Sequence, residues 1–428
     1  MSRPIILRSL VVVGAASLAL AGCSSDSGSS DSSASPTAES SAAPGDGTLK
    51  IGTLLPQTGS LAFLGPPEFA GVDLAVEEIN AAGGVNGAKV ESIVGDSGDT
   101  STNIASQTVD RQLSQGVDAI IGAASSAVSL TVIDKVTSAG VQQVSPANTS
   151  PEFSTYPDKG LYARTAPPDT FQGQVLGDLV AGDGHTTMAI LALDDAYGTG
   201  LADNVEKAFT AAGGTVASKQ IYDPKATSFE AEVSEAKASN PEGIVLIGFD
   251  ESSKVIQEMI KQGIGPNKVP LYLVDGNLSN TLYTDLPKGI MEGTQGTLPG
   301  AEASQEFQQK LLDINPKLED FSYAPESYDA AIIIALAAQA AGNDSGLAIG
   351  DNIKQVTAEG EKCTTYQQCI DLLKDGKDID YDGQSGPIDL NDVGDPSKAI
   401  MGLYTYGADN TYTRTGSQEG DVPDASQG

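Results

Sequence analysis

Residues 117–152 read VDAIIGAASSAVSLTVIDKVTSAGVQQVSPANTSPE, and the changes of pattern inside them decide the fold. A short apolar run ending at Ile121 stops at Gly122 and passes through small residues 123–126. Val128, Val132, Ile133 and Val136 then recur at helical spacing. A second run, 141–144, breaks at Pro146 into the polar corner Ala147, Asn148, Thr149 and Ser150 before Pro151. The order is strand, small-residue turn, helix, strand. In an open α/β sheet ligands sit at the carboxyl ends of strands, and a helix starting at Ser125–Ser126 adds unpaired N–H groups that favour an anion. This stretch therefore reads as a carboxylate-binding corner.

The β-then-α alternation continues on both sides. Upstream, 49–55 and 89–94 read as strands, with Pro66 and Pro67 placed to open a helix whose stripe is Phe69, Val72, Val76 and Ile79. Downstream, after Pro167 and Pro168, helices at 171–180, 201–212, 229–238 and 253–262 alternate with strands at 188–193, 216–221, 243–247 and 271–274. Two such series predict two lobes with parallel sheets covered by helices. The endings EINAAGG (78–84) and AFTAAGG (208–214) support two lobes of one design, although a double glycine is also ordinary helix capping. Past Gly293 the pattern turns helical at 307–314, 323–341 and 353–356, read as a return to the first lobe, and 399–406 reads as a last strand in the second. The boundaries expected are 48–166 with 295–377 for lobe 1, 167–294 with 378–415 for lobe 2, and 416–428 as a flexible tail. Three crossings make a hinge of several strands.

The N-terminus addresses the chain to the outside of a cell. Arg3 and Arg8 flank a short positive region, 10–20 is apolar but too short to span a bilayer, and Leu20-Ala21-Gly22-Cys23 follows, as in a lipoprotein signal (1–22) that leaves Cys23 lipidated. Residues 24–47 contain no Leu, Ile, Val or aromatic residue and read as a disordered tether. The expected location is the extracytoplasmic face of the cell membrane, held by the lipid anchor alone, because no later segment is long and apolar enough to cross a bilayer. The formal net charge of −33 is the opposite of a nucleic-acid footprint.

No G-x-S-x-G elbow, H-E-x-x-H or P-loop is present, and His185 is the only histidine, so an enzyme, a metal site or a resident cofactor is not expected. Cys363 and Cys369 form C-x5-C in an exported chain, which predicts a disulfide. Six residues apart in one continuous helix they would lie about 9 Å apart, beyond bridging range, so Cys363 must precede the helix start.

The run IGTLLPQTGSLAFLGPPEFAGVDLAVEEINAAGGVNG (51–87), with Ile121-Gly122, the 145–151 hydroxyl cluster and Tyr197-Gly198-Thr199-Gly200, resembles the Leu/Ile/Val-binding protein family. These type I periplasmic binding proteins feed ABC importers, and in them two Rossmann-like lobes close around an amino acid. The resemblance implies that Ser126 and Thr149, with backbone near Ala147, hold a ligand carboxylate. It implies that Asp275 holds an α-ammonium and that Tyr197 and Phe249 form aromatic walls. Leu64 falls where members that bind branched amino acids often carry Trp, and this chain has none. Taken alone, Ser126 also suits a helix cap, Thr149 a turn, and Asp275 the first residue of an Asp-Gly turn. The function implied is capture of a small, apolar α-amino acid by a monomer that presents it to a permease. A sensor of the same fold, or a binder of an amide, urea or aromatic acid, is the alternative.

Overall fold

The computed structural model describes residues 45–423. The proposed signal peptide, Cys23 and nearly all of the tether lie outside the described residues. Strands β1 (Lys50–Leu54), β2 (Glu91–Ile93), β3 (Ala119–Gly122), β4 (Gln142–Ser145) and β5 (Tyr162–Arg164) form one parallel sheet in the order β2-β1-β3-β4-β5. Every residue of β3 and β4 is buried, as near-continuous apolar runs in a parallel sheet require. The helices between them are α1 (Gly65–Ala81), α2 (Ile104–Ser114) and α3 (Ser126–Ser138). Pro66 and Pro67 sit in the first turn of α1, where a missing N–H costs nothing. Gly83 and Gly84 follow its end at φ +110° and +76°, a region open to glycine.

The chain then leaves this sheet through 165–168. It continues as α4 (Asp169–Gly182), β6 (Thr187–Leu193), α5 (Ala196–Ala211), β7 (Thr215–Tyr222), α6 (Glu230–Ala238), β8 (Gly243–Ile247), α7 (Ser252–Gln262), β9 (Leu271–Leu273) and β10 (Gln295–Pro299). Next come α8 (Gln305–Ile314), α9 (Ala324–Ala341), α10 (Gly346–Ile353), β11 (Glu361–Cys363), α11 (Tyr366–Lys374), β12 (Ile379–Tyr381), β13 (Lys398–Tyr406) and β14 (Tyr412–Asp421). The second sheet has seven strands in the order β14-β13-β10-β9-β8-β6-β7. It is parallel from β7 to β10, and β13 and β14 add antiparallel at its edge.

Helix α9 returns to the first lobe. Every residue from Ala324 to Ala338 is buried, in one core with Ile51, Val72, Ile121 and Val144. Among the described residues no single helix is long and apolar enough to cross a membrane.

Three expected boundaries are corrected. Residues 295–299, read as the start of the return to lobe 1, are β10, a central strand of the second sheet. With neighbours on both sides it shows no alternation, and Gly296 and Pro299 hide its strand character. Residues 379–390, assigned to lobe 2, belong to the first core: β12 pairs with β11, and Ile379, Tyr381, Ile388 and Leu390 pack beside α9. The stretch 416–421, read as flexible tail, is the second half of β14. It is held by its backbone ladder to β13, so a row of polar residues suffices there. The short strand β5 has no counterpart in the sequence reading.

Cys363 and Cys369 are disulfide-bonded, with Cα atoms 5.3 Å apart. Cys363 ends β11 and Cys369 lies in the first turn of α11.

Candidate ligand-binding site

Four strand ends, those of β3, β4, β8 and β9, and the starts of α3, α5 and α9 meet between the lobes. In the first lobe, Ser125 caps α3 by accepting from Val128 N, and Ser126 Oγ accepts from Ser150 N at 3.3 Å. The polar corner after β4 is built by buried hydrogen bonds. Ser145 Oγ donates to Ala123 O (2.7 Å) and accepts from Asn148 N, while Asn148 Nδ2 donates to Ala123 O and Ala124 O. Beneath it, Arg164 is fully buried. Its Nη1 donates to Asn148 O and Ser150 O, and its Nε to Asp395 at 2.6 Å. A buried guanidinium with a carboxylate partner and filled donor sites is a rigid brace for the loop above it.

In the second lobe, Phe249 and Asp275 each lie two residues beyond a strand, β8 and β9. Asn277 fixes the second turn by accepting from Val274 N and donating to Leu246 O and Ser252 Oγ. Tyr197, in the first turn of α5, stacks on Phe249 with ring centres 5.5 Å apart. Its hydroxyl donates to Asp275 Oδ1 at 2.7 Å, and that of Tyr323 donates to Oδ2 at 2.6 Å.

These residues line a space of about 260 Å³, counting the part open to solvent, formed by Leu61, Leu64, Ala124, Ser125, Ser126, Ala147, Tyr197, Phe249, Asp275, Gly276 and Tyr323. Six of the seven residues singled out from the sequence therefore line one space. The seventh, Thr149, does not line it; it is fully buried behind the corner, and its Oγ1 has no hydrogen-bond partner within the protein.

Two participants were not foreseen. Tyr323 takes up a left-handed backbone conformation (φ +59°) just before α9, which no local motif announces. Asp169, at the start of α4, reads as an ordinary acid of a first helical turn. It is fully buried, its N–H donates to Thr149 O at 2.7 Å, and neither carboxylate oxygen has a partner within the protein. Burial, and then the charge of Asp275, push its carboxyl well above the usual range. Burial also raises Asp275, against which its two tyrosine donors work. The cavity thus offers helix N–H groups and hydroxyls on one side and the buried carboxyl group of Asp275 on the other; Asp169 does not line it but lies near enough to feel the charge of Asp275. Among the described residues no cluster of His, Cys, Asp and Glu is arranged to hold a metal.

Residues 48–370 match the family model of the periplasmic binding proteins. The chain belongs to that family. A substrate-binding protein of a chemotactic signal transduction system from Halobacterium salinarum is 28% identical over 81% of this chain and 84% of its own length. A leucine-, isoleucine-, valine-, threonine- and alanine-binding protein from Pseudomonas aeruginosa is 28% identical over 73% and 83%. Among solved structures, a leucine binding protein from Thermotoga maritima superposes with TM-score 0.72 at 20% identity, covering 88% of this chain and 99% of that one. A solute binding protein from R. palustris, in complex with benzoate, gives 0.70 at 18% over 88% and 98%. This periplasmic binding protein has the type I fold of two Rossmann-like lobes, is of the Leu/Ile/Val-binding type, and is a solute-binding protein rather than an enzyme.

Proposed function

We propose that this periplasmic binding protein captures a small α-amino acid by closing its lobes and delivers it to an ABC importer. The observation that carries the reading is the charge arrangement of the cavity. Asp275 and Asp169 are buried acids, and the buried cation nearby, Arg164, is already engaged by Asp395. A ligand bearing an ammonium offsets that charge, while its carboxylate suits the start of α3. Benzoate-like acids carry no cation to set against the charge of Asp275. Leu61, Leu64, Ala124 and Phe249 are apolar walls that suit a branched-chain or similar side chain.

Charge-assisted bonds at both ends of a zwitterion contribute roughly 1.5–3 kcal/mol each, enough with apolar burial for micromolar affinity. Native mass spectrometry of the protein as purified tests the reading. A retained mass equal to an amino acid is expected; a retained aromatic acid, amide or urea contradicts it. The anchor is proposed at Cys23, and Cys23→Ala should move the protein out of the detergent phase; equal partitioning of mutant and wild type speaks against lipidation.

A further inference from the structure

A second cavity lies behind the ligand site, on the far side of Tyr323. It measures about 750 Å³, counting the space open to solvent. It lies where the segment leaving β10 and the turn into α9 meet the edge strands β13 and β14. Leu298, Phe321, Tyr404 and Tyr412 supply its apolar surface. Its polar groups come in an unusual pair. Glu326 is 1% exposed, and its Oε1 has no hydrogen-bond partner within the protein. Arg414 reaches in from β14. Its Nε donates to Gly416 O and its guanidinium lies 5.9 Å over the Tyr404 ring, yet its buried Nη1 has no partner within the protein.

Leaving a buried donor or acceptor unpaired costs about 1–3 kcal/mol each. Here an acceptor and a donor line one cavity without forming an ion pair with each other. Gly300 keeps room for the carboxyl group, because a Cβ there would lie 2.1 Å from Glu326 Oε1. The backbone of Gly300 is also left-handed, at φ +101°. The rim adds Glu302, Glu319 and Asp320, the last already bonded to Ser322 and Tyr412.

We propose that this cavity is a second binding site, for a small zwitterion such as an α-amino acid, with the carboxylate on Arg414 Nη1 and the ammonium on Glu326 Oε1. A pure anion is repelled by the acidic rim, and a pure cation by Arg414. A zwitterion satisfies both unpaired groups and lays its apolar part on Phe321 and Leu298. Burial pushes the Glu326 carboxyl up to about 8, with Asp329 adding to the rise and Arg414 opposing it. Glu68, from α1, is its other acidic neighbour. An arriving ammonium therefore displaces the carboxyl proton. Tyr323 lines both cavities and bonds Asp275, so the second site adjoins the acid that faces the first.

Saturation-transfer difference NMR, which reads weak and fast-exchanging ligands, tests the proposal with millimolar L-alanine, L-valine and acetate. The amino-acid signal should persist in Asp275→Asn, where the front site is impaired. It should fall about fivefold or more when Arg414→Gln or Glu326→Gln is added, the loss of one hydrogen bond to a charged group. Acetate should give none. An undiminished signal in both double variants overturns the second site, as does complete loss in Asp275→Asn alone. The dependence on Arg414 is read separately from the front site, so a chain whose front cavity takes no amino acid still gives a decisive answer here. Arg414 lies on an edge strand, and a melting curve for each variant shows that the fold is kept.

Discussion

Asp169 and Asp275 are buried near one another, with Arg164 and the Thr149 hydroxyl opposing the rise in the Asp169 carboxyl and two tyrosine hydroxyls bonded to Asp275. After burial, the charge of Asp275 raises the Asp169 carboxyl, and like charges in a buried space cost stability in the empty protein. Asp169→Asn removes that repulsion. It should raise the melting temperature of the ligand-free protein by about 2 °C or more, and weaken amino-acid binding about tenfold or more. Differential scanning calorimetry and a binding titration on the same preparation check the two halves; a variant that loses stability as well as affinity would make Asp169 structural.

Glu68 gives a separate, pH-dependent signature. It is fully buried on α1, neither oxygen has a partner within the protein, and burial followed by the charge of Glu326 pushes its carboxyl well up. Below the unfolded value of about 4.3 both states hold the proton and its contribution to stability is fully present. Above that, the unfolded chain ionises while the folded chain does not. Stability is therefore lost at up to about 1.4 kcal/mol per pH unit until the folded pKa is passed. Glu68→Gln should remove this slope and gain on the wild type as pH rises above the unfolded value in urea unfolding. Parallel curves over that range would mean that Glu68 finds a partner.

At the scale of elements, what the sequence revealed follows from burial on both faces or one. The 117–152 stretch was legible because β3 and β4 are interior strands separated by a helix with a clear stripe. β10 is interior too, but Gly296 and Pro299 broke its apolar run, and β14 is an edge strand whose polar composition resembles a tail. Residues of the site at strand ends, such as Asp275 and Phe249, were placed through the family resemblance, since the strand pattern alone leaves Asp275 a turn residue. Asp169 and Tyr323 were not, because their roles depend on which elements meet across the crossings.

The packing of α1 on α9 is the element contact on which the first core turns. Gly71 allows it: a Cβ there would lie 2.3 Å from the carbonyl oxygen of Ala324, backbone that cannot move aside cheaply. Gly71→Ala should therefore destabilise by about 1–3 kcal/mol, although alanine favours an isolated helix. Chemical denaturation measures it, and a variant as stable as wild type would show that the two helices have slack.

The described residues form two large sheets and the small β11-β12 sheet, with three chain crossings between the lobes, and in this structure the cleft between the lobes is closed. Leu61, Leu64, Ala124 and Ala147 from the first lobe join the core of the second, and Ser150 Oγ donates across the cleft to Ala196 O. Such a contact set forms only when the lobes meet; under the proposed function, binding and closure are one event and the ligand is desolvated by it. Burial then decides what kind of ligand is accepted. On the proposed function, an ammonium facing Asp275 gains from the loss of water, and a molecule without one leaves the charge of that buried acid without a cation.

The most direct test compares two ligands that differ only there: L-leucine and 4-methylpentanoate, its deaminated counterpart, titrated calorimetrically into the wild-type protein, with valine and 3-methylbutanoate as a second pair. The account predicts that the amino acid binds at least about a hundredfold tighter in the pair whose side chain fits, a difference of about 3 kcal/mol. Equal affinities within a pair that binds, or a preference for the deaminated acid, would contradict it.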